Sequence, residues 1–140
     1  MDRFVKNFII MSIVYLGVAS IIGIMMFADG SWLRLRFVHS HLMLLGWVSM
    51  MIYGVGYHIL PKFVGKFLKH RAMGVVQFWL ANIGLVGMVV FYPLMQGGGG
   101  ALKGLAVASS LVEAASVFLF FYNMLVTLVE KPAEQPSRGT

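Results

Sequence analysis

Five side chains in this 140-residue sequence combine reactive chemistry with an improbable setting: Arg34, Arg36, His39, His41 and Glu113. The first four open the stretch RLRFVHSHLMLLGWVSMMIYGVGYHILPK, residues 34–62, where two histidines and two arginines sit at one end of a membrane-length apolar run. Imidazole is tolerated in hydrocarbon only with a partner, and its natural partners are a metal, a haem iron or another polar group. On a helix, residues two apart point about 200° apart, so His39 and His41 cannot both face one iron. His39 shares its helical face with Met43, Gly46, Met50, Tyr53 and Tyr57, small, soft and aromatic side chains that suit a flat cofactor or close helix packing. His41 shares its face with Leu44, Leu45, Val48, Ile52, Val55 and Ile59, the aliphatic face expected toward lipid or an apolar neighbour. The faces favour His39 as the ligand, with His41 as the alternative. A plainer role for both is a hydrogen bond to backbone carbonyls at a helix start. Metal binding by the His39/His41 pair needs ligands from elsewhere to complete a site.

Glu113 lies in a later apolar run, on one face with Ser109, Ser116 and Asn123. A carboxyl near a bilayer midplane is costly unless protonated or paired. It is either a proton-carrying group or a hydrogen-bond partner within that polar face.

These residues have to be positioned by helices in a membrane. The chain is 59% hydrophobic and 11% charged, with a mean hydropathy of +0.85, which places it in the membrane class. The expected fold is all-α, an integral membrane four-helix bundle over residues 1–129 followed by a disordered cytoplasmic tail over 130–140. The first helix is an uncharged run from Phe8 to Ala28, too long for a signal-peptide core and lacking a cleavage pattern, so it is expected to be retained. The second runs from about Leu35 to Leu60, with Pro61 marking its end. The following KFVGKFLKHR reads as a short amphipathic connector on the membrane surface. The third helix spans about Met73 to Met95 with Gln77 and Asn82 as interior polar groups. A glycine loop, Gly97 to Gly100, leads to the fourth, about Ala101 to Val129.

The absence of cysteine excludes disulfides, iron–sulfur ligation and covalently attached haem. The net charge of +6 does not point to nucleic acid, because the basic residues gather at the ends of apolar runs, where lipid headgroups explain them. Arg3, Lys6, Lys62, Lys66, Lys69, Arg71, Lys131 and Arg138 fall on one side, against Arg34, Arg36 and Lys103 on the other. Both termini are therefore expected in the cytoplasm.

Arg36, His39 and the following LMLLGWVSMMIYGVGYHILP resemble the second transmembrane helix of subunit I of the haem–copper oxidases, the nitric oxide reductase large subunit being the nearer likeness. The His-x-His-x-x-x-x-Gly pattern from His39 to Gly46 is also similar to short oxidase-subunit-I-like membrane proteins. The resemblance covers roughly the first half of the chain. It implies a bacterial or archaeal-type inner membrane and a non-covalent haem b, with a histidine at the outer end of this helix as axial ligand and arginines on the propionates. Those roles fall to His39, or alternatively His41, and to Arg34 and Arg36. The family's oxygen-reducing binuclear centre needs further histidines, and none of the four here lies beyond His70. The function expected is thus electron transfer or gas or haem handling, and the alternative is a cofactor-free accessory or assembly subunit of a larger respiratory complex. His58, nineteen residues on, lies about 28 Å along the helix from His39 and cannot be its mate on one iron. A second axial ligand would come from His39 of another chain in a homodimer, from a methionine, or be replaced by a gas at an open position.

Overall fold

The computed structural model describes residues 2–129; the tail expected to be disordered lies outside them. The chain is all-α, and four helices are long and apolar enough to cross a membrane. We number them α1, Arg3–Ala28; α2, Gly30–Phe63; α3, Arg71–Met95; and α4, Gly100–Val129. The apolar runs extend farther at their ends than expected, since α1 takes in the Arg3–Asn7 turn and α3 starts two residues early.

Helix α1 stops at Asp29, whose backbone turns extended. Its carboxylate accepts from the Ser31 backbone N–H at 2.9 Å and from the Ser31 hydroxyl at 2.7 Å. This Asx-type cap starts the next helix, and the two donated bonds hold the exposed carboxyl below the usual range.

Helix α2 is not uniform. It opens as a 3₁₀ turn over Gly30–Leu35, is α over Arg36–His41, widens to π over Leu42–Ser49 and returns to α over Met50–Phe63. Wide π turns tend to occur where a helix is bent to a task, and this one begins directly after His41. The two faces read from the sequence survive it: Gly46, Met50, Tyr53 and Tyr57 are buried, whereas Leu44, Val48, Ile52 and Val55 are exposed.

One expectation fails at the end of α2. Pro61 does not terminate it, because the helix runs on to Phe63. The stop is Gly65, at φ 66°. The Gly65 N–H donates to Lys62 O at 3.0 Å and the Lys66 N–H to Pro61 O at 2.8 Å, the paired bonds of a Schellman cap built on a left-handed glycine. The connector that follows contains no helix over residues 64–70. The cap redirects the chain, and Lys66 Nζ then donates to Leu128 O at 2.7 Å, tying the connector to the end of α4.

Helices approach closely where side chains are small, since packing rather than water drives association in lipid. A Cβ at Gly54 would lie 2.8 Å from Ile9, and one at Gly46 would lie 2.8 Å from Tyr15, so α2 lies directly on α1. A Cβ at Gly84 would lie 2.6 Å from the Glu113 backbone nitrogen, and Gly87 meets the Ser109 side chain. These two glycines bring α3 hard against α4. Phe8, fully buried, joins the layers through edge-to-face contacts with Tyr53 (centroids 5.6 Å) and Phe78 (5.1 Å).

Candidate functional site

The two histidines leave α2 in different directions. His39 reaches across to α1, where its Nδ1 lies 2.9 Å from the carbonyl oxygen of Ala19. A carbonyl only accepts, so Nδ1 carries the proton and donates, which leaves Nε2 of the neutral ring as the lone-pair nitrogen. The ring lies flush on Gly23, where an added Cβ would be 3.0 Å from His39 Cε1. Ala19, wholly buried, and Gly23 are spaced one turn apart on α1. The small-residue stripe of α1 therefore makes the slot that fixes this imidazole.

His41 turns toward α3, the apolar neighbour that was one of the two settings expected for its helical face. It is half-buried, its Nδ1 donates to Phe37 O at 2.9 Å within its own helix, and its ring stacks on Phe37 with centroids 3.8 Å apart. Phe37 stacks in turn on Tyr92 of α3 at 3.6 Å. The two aromatic contacts draw His41 toward α3 and into a cleft of about 300 Å³ whose other walls include Met88, Met95, Lys103 and Ser110. Lys103 is the basic residue of this cleft, a position that the arginine-centred reading missed. Nothing in its local sequence marks it, since its place depends on how α4 packs beside α2.

Arg34 and Arg36 are both exposed at the same end of the bundle. The Arg34 guanidinium lies 5.6 Å from the Trp32 ring centroid, a cation–π arrangement. Neither arginine pairs with a carboxylate among the described residues, so both remain able to meet an anionic group from outside. The structure thus separates the four predicted residues into a locked imidazole against α1, a second imidazole in the α2–α3–α4 cleft, and two arginines at the surface above them.

The donor chemistry fits a haem iron in one respect. A metal-binding histidine characteristically donates its second ring N–H to a carbonyl or carboxylate, which fixes tautomer and ring orientation. His39 has that arrangement with a carbonyl on another helix. Among the described residues no three His, Cys, Asp or Glu side chains converge as a metal-ion site.

Deeper in the bundle lies a polar column. The Tyr57 hydroxyl donates to Gln77 Oε1 at 2.6 Å, Asn123 Nδ2 donates to His70 O at 2.9 Å, and the Tyr15 hydroxyl donates to Asn82 Oδ1 at 2.8 Å. Of the four residues that spacing places on one face of α4, Glu113, Ser116 and Asn123 are buried, whereas Ser109 is half-buried and its hydroxyl donates back to Leu105 O at 2.8 Å.

No family model matches the chain. Over 89 residues, 59% of the chain, it is 33% identical to the Cbb3-type cytochrome c oxidase subunit CcoN1 of Stutzerimonas stutzeri. The match takes in 19% of that protein, so the chain spans about a fifth of the length of the curated relative. Over that stretch it is a distant relative of a cytochrome c oxidase subunit, carried on four helices fit to cross a membrane.

Proposed function

We propose that the chain is a membrane haem b protein, holding the iron through His39 Nε2 at the outer end of α2, with Arg34 and Arg36 neutralising the propionates. The observation that carries this reading is the bond from His39 Nδ1 to the Ala19 carbonyl, which presents the ring's other nitrogen as a fixed donor. The partial relation to an oxidase subunit agrees with it. A haem held in this way supplies one-electron transfer when both axial positions are taken by protein, and gas binding when one is open.

One locked imidazole per chain leaves the second position to another group. A two-fold axis along the membrane normal would bring two copies of His39 together at equal depth, and the homodimer is the working unit we infer. His41, beside Met88 and Met95 in the neighbouring cleft, is the alternative ligand, with a thioether as its mate. The charge distribution supports a topology with both termini in the cytoplasm.

Absorption spectroscopy of the purified protein tests the reading. A Soret band with sharp reduced haem b peaks is the expected result. Protein that purifies colourless and takes up no added haem overturns it in favour of a cofactor-free accessory subunit, in which both imidazoles serve only as helix ties through their carbonyl bonds.

A further inference from the structure

Glu113 is the fourteenth residue of the thirty-residue helix α4, which places it at mid-depth, and it is 3% exposed. Among the described residues neither of its carboxyl oxygens has a hydrogen-bond partner. A carboxyl kept as structural glue would have those oxygens engaged, because burying such a group unpaired is among the costliest things a fold can do. No basic side chain among the described residues reaches it. Against it α3 presents the bare backbone of Gly84. The titratable groups that face it are Tyr15 of α1 and Tyr53 of α2, and the Tyr15 hydroxyl is already committed to Asn82.

The carboxyl is not the lone orphan. Ser116 Oγ, Asn123 Oδ1 and Gln77 Nε2 are also buried without a partner among the described residues. Three of these residues mark a line along α4: Ser116 lies one turn from Glu113, and Asn123 lies two turns farther, ~15 Å in all. At Asn123 the line meets the bundle end, where the Lys69 N–H donates to Thr127 Oγ1 at 3.2 Å, the Thr127 hydroxyl donates to Asn123 O at 2.7 Å and Asn123 Nδ2 donates to His70 O. Buried polar groups that lack a protein partner are ordinarily satisfied by ordered water.

We propose that Glu113 is a proton-exchanging carboxyl, reached by ordered water from the end of the bundle where His70 and Thr127 lie. In each exchange a hydronium of this column delivers a proton to one carboxylate oxygen, forming an O–H bond and leaving neutral water, and the reverse step returns it. Phe120 stands between Asn123 and Ser116 on the same helix, buried, with the Tyr53 and Tyr57 rings 4.7 Å and 5.2 Å from its own. That aromatic plug makes the passage intermittent and sets its rate. The proposal does not depend on haem.

Infrared difference spectroscopy on the full chain in lipid tests it, comparing the wild type with Glu113→Gln, which keeps the shape and loses the proton site. The expected result is a protonated-carboxyl C=O band absent from the variant, which shifts when the buffer is changed to D₂O and disappears reversibly as the pH is raised. Phe120→Leu should shorten the time the deuterium shift takes. A wild type with no band assignable to Glu113, or a band that neither exchanges nor titrates, overturns the proposal and leaves a sealed structural carboxyl.

Discussion

His39 Nδ1 and the carbonyl oxygen of Ala19, twenty residues apart in sequence, lie 2.9 Å from each other across the α1–α2 interface. The contact depends on Gly23, against which the imidazole lies. Gly23→Ala therefore places a Cβ 3.0 Å from His39 Cε1 and should tilt the ring while leaving insertion unchanged. The expected outcome is a shifted or broadened haem spectrum at normal expression, read by absorption. An unaltered spectrum would show that the slot on α1 does not orient the ligand.

The α3–α4 pair gives a sharper packing test. Gly84→Ala drives a Cβ into the Glu113 backbone and should cost ~1–3 kcal/mol, the usual range for overpacking. Gly17, around which nothing lies within 4 Å, is the internal control, and Gly17→Ala should be neutral or slightly stabilising. Thermal unfolding in mild detergent compares the two.

Tyr57→Phe removes the donor to Gln77 Oε1. With Gln77 Nε2 already lacking a partner among the described residues, the whole amide is then left unsatisfied. The expected loss is ~1–3 kcal/mol, larger than for Ser20→Ala, whose exposed hydroxyl only bonds back to Leu16 O. Equal losses in the two variants would mean that the buried amide has other partners.

Much of this architecture was legible because hydropathy is a strong signal over twenty residues: all four helices fall where the apolar runs are. The shared face of Ser109, Glu113, Ser116 and Asn123 was legible from spacing, but that only the last three would be buried was not. The end of α2 was misplaced because Pro61 was given more weight than Gly65, although a left-handed glycine with two backbone bonds is the stronger stop. The π stretch has no local signature, since it is set by how α2 lies on α1 and α3. Whether His41 turned to lipid or to an apolar neighbour was left open for a related reason. Its position is decided by Phe37 stacking on Tyr92 fifty-five residues away, and helical periodicity carries no information about that contact. Lys103 enters the same cleft through α4 packing and was equally hidden.

The proposed topology rests on the distribution of basic residues. A reporter fused after Thr140 should read as cytoplasmic, and one inserted in the Gly97–Gly100 loop as external. The reverse pattern would put His39 at the cytoplasmic face and remove the basis for an outer haem site.

The proposed homodimer rests on one locked imidazole per chain. Shared axial ligation predicts one haem per two chains with a low-spin bis-imidazole spectrum, checked by haem quantitation on protein sized in mild detergent. A monomer that keeps one haem per chain would rule out sharing and assign the second position to a methionine or to an open site.

The most direct test compares His39→Ala with His41→Ala, both purified and examined by reduced-minus-oxidised absorption. The account predicts that His39→Ala inserts normally and loses the haem b signal, whereas His41→Ala keeps the haem and only perturbs its spectrum. Loss of the haem in His41→Ala alone, with His39→Ala unaffected, would contradict it and move the iron to the Phe37–Tyr92 cleft.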